Sequence, residues 1–218
     1  MRGLVPVEVA AIIAVAAAPW PETLPVALPL IVVATIARLV RGHSWGELMK
    51  RGGVLVATIA GLAALGIAVA LGTPLVEQLT GRGVEWSRFP VVRGSAGQLI
   101  AVLLVVGATT IAAELALRGW IVERVLELSR APAVIAILVG GFAEALLVDG
   151  DLTARLGGAA FGCGLGWLYV ASAPPAEREA PPDGGAVRAS GRNLAVPVCA
   201  RLAFQLGAVV LEWLKLVG

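Results

Sequence analysis

No charged residue lies between Arg51 and Glu77, and none lies between Arg93 and Glu114. Each run reaches the roughly 20 residues that a helix needs to cross the hydrocarbon core of a bilayer. Within lipid there is no water to satisfy backbone N–H and C=O groups, so such runs must close their hydrogen bonds internally, as helices do. This constraint dominates everything else in the chain.

The composition agrees. Of 218 residues, 58% are hydrophobic and 15% are charged, against about 25% charged in a typical soluble domain. Mean hydropathy is +0.89. A soluble globule of this length could not bury that much apolar surface. A net charge of +2 offers no basic stripe, so nucleic acid is not an expected partner. The lone histidine, His43, excludes by count any site built from two or more histidines of this chain. Cys163 and Cys199 lie in apolar stretches and read as small buried residues, not as a disulfide scaffold. The scarcity of lysine, found only at Lys50 and Lys215, hints at a bacterial genome rich in G and C.

Seven apolar segments qualify as spans, at about 4–19, 23–40, 53–75, 97–117, 132–148, 156–173 and 194–214. The expectation is an all-α polytopic transmembrane bundle of about seven spans, with six to eight compatible. Residues 4–19 resemble a signal peptide but lack a small-residue cleavage site before Pro19-Trp20-Pro21. They read as a retained first helix, with a signal anchor as the alternative. The Pro/Gly-rich stretch 174–192 reads as a flexible loop, with shorter loops at 41–52 and 76–95.

Basic residues set the orientation. With seven spans, eleven of the seventeen Lys and Arg fall on the side of the N-terminus and five on the other, with Arg201 inside the last span. The N-terminus is therefore expected in the cytoplasm. Trp20, Trp45, Trp120 and Trp213 sit near span ends, where indoles settle at headgroup level. Trp86 falls in a loop and Trp167 well inside the sixth span. Gly158, Gly162 and Gly166 recur every four residues and put a smooth strip on one face of that span. The strip favours close packing against another helix of the same chain over dimerisation.

Charges inside the spans are the functional signal, because each costs about 2.5–3.5 kcal/mol at the centre of a membrane helix. Glu114 and Arg118 are four apart, share a face and can pair. They either solvate one another near the interface or line a polar cavity. Glu144 and Arg201 have no partner within a turn of their own helix and must find one elsewhere. Gln205 lies one turn beyond Arg201. The five read as one compensated intramembrane cluster. Glu8, at the start of the first span, can reach the interface and is set aside.

The run Ala-Ala-Glu-Leu-Ala-Leu-Arg-Gly at 112–119 resembles the Glu-Glu-x-x-x-Arg motif of the CAAX-protease and bacteriocin-processing (CPBP, Abi-like) family of intramembrane metalloproteases. Glu114, Arg118 and Gly119 match its second glutamate, its arginine and the glycine that follows. Phe142 takes the place of the phenylalanine in the family's Phe-x-x-x-His motif. The stretch from Pro197 to Gln205 is similar to the last motif, His-x-x-x-Asn or a close variant. Order and spacing agree over about residues 97–210. The resemblance divides one membrane domain into N-terminal helices and loops, 1–96, and a protease-like helical core, 97–218.

The departures are chemical. Ala113 replaces the first glutamate, Leu146 the histidine of the second motif, and Arg201 the histidine of the third, with Gln205 for its asparagine. Leucine cannot ligate, and arginine stays protonated with no lone pair to offer. His43 lies in a loop. The resemblance therefore implies a family fold without its metal, a fixed cation at Arg201, and no cofactor. Such a protein would act as a binding, scaffolding or assembly subunit in the bacterial cytoplasmic membrane. It would hold a transmembrane helix, a lipid or a lipidated peptide, or join other membrane proteins. A diverged intramembrane hydrolase is the alternative, with Glu114 and Arg118 as its candidate catalytic residues, aided by Glu144 and a cysteine, and zinc expected only under that reading. A small-solute transporter is a third.

Overall fold

A computed structural model describes residues 5–18, 27–49, 52–81, 95–128, 133–148, 150–173 and 192–214. Among them there are helices and no strands. The Pro19-Trp20-Pro21 break, Lys50, Arg51, Trp86, Asp149, the loop residues 174–191 and Lys215 lie outside the described residues.

The helices are α1 (Val5–Ala17), α2 (Ala27–Val40), α3 (Val54–Ile67), α4 (Thr73–Thr80), α5 (Ala96–Ala116), α6 (Glu123–Leu128), α7 (Ala133–Leu147), α8 (Leu152–Ala171) and α9 (Ala195–Trp213). Two π-helical stretches, Ala68–Gly72 and Leu117–Val122, join α3 to α4 and α5 to α6 without a break. Each of the seven apolar segments thus contains a helix. Three helical runs are long and apolar enough to cross a membrane: Val54–Leu79, Ala96–Leu126 and Ala195–Trp213. Leu28–Val40 and Ala133–Leu147 are apolar but shorter. At 1.5 Å per residue, a helix of 13–15 residues reaches only about 20 Å, short of a core about 30 Å thick. The 20 residues of α8 have the length, but five glycines, Thr153 and Arg155 dilute their apolarity.

Two compact units alternate along the chain instead of following one another. The first comprises Met1–Gly52 and Ala112–Pro197, the second Gly53–Ile111 and Val198–Gly218. Of the three crossings between them, at 52/53, 111/112 and 197/198, the last two fall inside continuous helices.

In the first unit, α7 packs closely along α8, and α1 packs on α2 and α7. Asp151 opens α8 by accepting a hydrogen bond from the Ala154 N–H at 2.9 Å, which satisfies one of the unpaired donors of the first turn. The glycine strip faces α7. A Cβ on Gly162 would sit 2.6 Å from Glu144 Cβ, and one on Gly158 would collide with Val148. From α7, Gly141 answers with an equally close approach to Cys163. Leu30, Leu48, Leu117, Ile121 and Leu194 are fully buried in the same unit.

In the second unit, the helical run from Val54 to Thr80 contains Pro74. Proline has no N–H for the carbonyl four residues back and its ring crowds that turn, and the π-helical stretch Ala68–Gly72 lies directly before it. Widening of the helix there gives the ring room. The run ends at Gly81, whose φ of 66° places it in the left-handed region as its N–H closes on the Glu77 carbonyl at 2.9 Å. Gly61 lets the Ala200 backbone approach α3, and Gly207 does the same for Leu65. Between α3, α5 and α9 an apolar groove of about 560 Å³ opens, lined by Leu62, Leu65, Leu103, Leu206, Gly207 and Val210 among others. Most of the outer face of α3 is exposed and aliphatic, with Leu55, Val56 and Ile59 all more than half accessible. Such a continuous apolar surface suits a lipid-facing helix.

Candidate functional site

The first unit encloses three of the five charged or polar residues expected to cluster. Glu114 and Arg118 sit one turn apart, Glu114 near the end of α5 and Arg118 inside the π-helical stretch. Arg118 Nη1 donates to Glu114 Oε1 at 2.9 Å and to Glu144 Oε2 at 2.7 Å. Arg118 Nη2 donates to the Gly162 carbonyl at 2.8 Å. One guanidinium thereby ties α5, α7 and α8 together. Arg118 and Glu114 are wholly buried and Glu144 is 2% exposed. Glu114 and Arg118 therefore pair, as their spacing allows, and do so away from the protein surface. The pair is interior, and Glu144 joins it.

Packing explains how a charge reaches this depth. Gly162 has no side chain to keep Glu144 away, and its carbonyl sits where the guanidinium fork can use it. All six residues of the π-helical stretch are buried. Such single-turn distortions are frequent at functional sites. Charged groups in so dry a place must be paired and hydrogen-bonded, or the cost of removing them from water unfolds the protein.

Of the positions compared with the protease motifs, Ala113 and Leu146 are apolar, and Arg201 and Gln205 are polar without being metal ligands of the family's kind. Ala113 is buried and packs with Ala112, Ile31 and Leu147. Leu146 is half-buried on α7. Phe142 is exposed. Arg201 and Gln205 belong to the second unit, on α9. Arg201 is buried there, and Gln205 accepts a hydrogen bond from the hydroxyl of Thr110, itself 1% exposed. Ala113 and Leu146 have no donor atom, and Arg201 has no lone pair, so these positions do not fit a metal ion. Among the described residues, no three His, Cys, Asp or Glu side chains gather as a metal site would require.

A second polar layer in the same unit was not expected from the sequence. Glu8, set aside as an interfacial residue, accepts from Arg41 at 2.6 Å. Tyr169, fully buried on α8, donates its hydroxyl to Glu123 Oε1 at 2.5 Å, and Arg192 Nη1 reaches the same oxygen at 3.1 Å. Arg38 donates to the Gly119 carbonyl at 3.2 Å and the Ser44 carbonyl at 2.7 Å. Trp120 is fully buried within the protein, not turned to lipid. The Arg124 guanidinium lies 4.2 Å from its ring centre and that of Arg41 5.9 Å. Trp45 donates to Thr35 and carries Arg38 over its ring at 4.6 Å. The available signal was the spacing of Arg38 and Arg41, three positions apart at the end of α2, which brings them to one side of the chain. Trp167, by contrast, is 60% exposed.

In the exposed loop before α3, the Ser44 N–H donates to Glu47 and His43 Nδ1 lies 3.5 Å from the same carboxylate. The Ser44 amide, with His43 contributing, holds the Glu47 carboxyl below its ordinary range.

Comparison with protein-family models, with curated proteins and with solved structures finds no match for this chain.

Proposed function

We propose that this chain is an integral membrane protein related in architecture to the CAAX-protease and bacteriocin-processing enzymes, catalytically silent, and working as a binding, scaffolding or assembly subunit. The seven apolar segments are all embedded in this reading. The N-terminus lies in the cytoplasm, on the count of basic residues. The arginine-rich composition favours a bacterial cytoplasmic membrane.

The observation that carries the proposal is the pairing of Arg118 with both Glu114 and Glu144. In the family pattern, the acid at Glu114 would belong to the machinery that holds a metal and activates water. Here that carboxylate faces a guanidinium, and neither Ala113 nor Leu146 can supply a ligand. The charges serve to hold three helices together. A helical bundle held in this way keeps the shape of the family core without its hydrolytic centre, and shape is what a scaffold requires.

The test uses the full chain purified in detergent and reconstituted in nanodiscs. Metal content is measured by elemental analysis, and a prenylated peptide and a transmembrane peptide are offered as substrates. The expected result is no stoichiometric divalent ion, and no cleavage above that of a Glu114→Gln control. A photoreactive version of one peptide should cross-link to the chain and remain uncut. One tightly bound divalent ion per chain, or cleavage abolished by Glu114→Gln, overturns the proposal in favour of the diverged hydrolase.

A further inference from the structure

We propose that the arginine layer of the first unit, built on Arg38, Arg41, Arg124 and Arg192, binds a phosphate-class anion at the membrane–water boundary. The proposal rests on the membrane reading above and not on the loss of proteolysis.

Arg38 carries the argument. It is 3% exposed, and its hydrogen bonds go to two backbone carbonyls, Gly119 and Ser44. Its third contact is the Trp45 ring. All three partners are neutral, and its Nε, buried, has no hydrogen-bond partner. Carbonyl dipoles and an indole face steady a guanidinium but leave its charge in place. A buried cation of that kind calls for a counter-ion.

The neighbours add to the same field. Arg124, also 3% exposed, is close enough to act repulsively on Arg38. Arg41 stands over the same indole as Arg124. The acids of the layer are engaged with other basic groups, Glu8 with Arg41 and Glu123 with Arg192. Glu47 and Glu123 act on Arg38 from a distance, but neither makes an ion pair with it within contact range.

Position identifies the ligand. Arg38 lies in the last turn of the apolar stretch Leu28–Val40 and Arg41 directly after it, and Arg124 lies in the last turns of the apolar run Ala96–Leu126. Side chains at such ends stand at the level of phospholipid headgroups, and Trp45 accompanies them. Planar guanidinium forks match the paired oxygens of a phosphate. Basic pockets between membrane helices take up anionic headgroups for this reason. A phospholipid phosphate and free inorganic phosphate share that chemistry, and the experiment separates them.

The full chain in mild detergent is titrated with phosphatidylglycerol, phosphatidylcholine and inorganic phosphate. Thermal unfolding and native mass spectrometry are the readouts. Phosphatidylglycerol should raise the midpoint and be retained one to one, whereas phosphatidylcholine should do neither. Arg38→Gln should weaken that binding by about tenfold or more, and Arg155→Gln, on the exposed first turn of α8, should not change it. If inorganic phosphate alone reproduces the shift, the ligand is the free ion at the same site. Arg38 also holds two carbonyls, so its variant can lose the fold. In that case the wild-type adduct decides, since it should dissociate as salt is raised. Equal retention of both lipids with no response to phosphate, or equal losses in Arg38→Gln and Arg155→Gln, overturns the proposal. Release of the chain from membranes by an alkaline wash would instead show that the membrane reading had failed.

Discussion

Arg118 Nη1 lies 2.7 Å from Glu144 Oε2, a contact between residues on two helices that are both closed to water. The same nitrogen serves Glu114 at 2.9 Å. Removing the cation leaves two carboxylates facing each other in a dry interior. Arg118→Ala should therefore destabilise the protein by about 3–5 kcal/mol. Combining Arg118→Met with Glu114→Gln and Glu144→Gln should restore much of that loss, because no charge is then stranded. Equilibrium unfolding in mixed micelles measures both variants. A single substitution that unfolds at the wild-type midpoint would mean that the pairing contributes nothing.

Gly162 allows this geometry by letting α7 and α8 touch. A methyl at that position would meet Glu144 Cβ at 2.6 Å. Gly162→Ala should cost about 1–3 kcal/mol through overpacking. Gly157, on the same helix, has open space where its Cβ would go, so Gly157→Ala should be neutral or stabilising by up to about 1 kcal/mol from helix propensity. Opposite signs in thermal unfolding identify close approach, and not glycine content, as the reason for the strip.

In the second unit, Thr110 donates its hydroxyl to Gln205 across α5 and α9. Interhelical hydrogen bonds in membrane proteins are worth about 0.6 kcal/mol on average, with a maximum near 1.7 kcal/mol. Gln205→Leu should lose an amount in that range. Adding Thr110→Val should then cost little more, since the partner has already gone. A double-mutant cycle isolates the coupling, and two fully additive losses would show that the residues act independently.

Glu47 offers a reading of the polar end of the first unit outside the helices. Its carboxyl is held below the ordinary range by the Ser44 N–H first and by His43 next. A lowered folded-state value stabilises the loop at pH values above the unfolded carboxyl's titration. That contribution is lost as pH falls through the folded value. Side-chain carboxyl NMR should find Glu47 titrating below the other exposed glutamates. A titration at or above the usual range would rule out the Ser44 contact in solution.

The helices were legible because helix is the only local answer to long apolar runs without charge. Segment ends were less legible: the apolar pattern puts the end of the third segment at 75 and the start of the sixth at 156, whereas the helical run reaches Thr80 before Gly81 and α8 starts at Leu152 behind Asp151. The end near 117 was not legible. Arg118, Glu123 and Arg124 read as the charged rim of a span, yet the helix continues through a π-helical stretch to Leu128. Nothing local announces that continuation, because the charges become tolerable only when Glu144 and the Gly162 carbonyl arrive from other helices. Length, too, separates the segments: three runs suffice to cross a bilayer and the shorter ones fall below it.

The amino-acid order by itself determined an all-helical protein with helices long and apolar enough to cross a membrane. It also singled out Glu114, Arg118 and Glu144 as charges needing compensation, because burial cost is a property of each side chain alone. Only the tertiary structure decided who compensates whom. It placed Arg118 between two acids, put Glu8 on Arg41, and stacked two arginines on a buried Trp120. Pairing depends on which faces meet at close range: the strip through Gly162 was legible as a packing face, but its partner helix, and the answering Gly141, appear only when α7 lies against it.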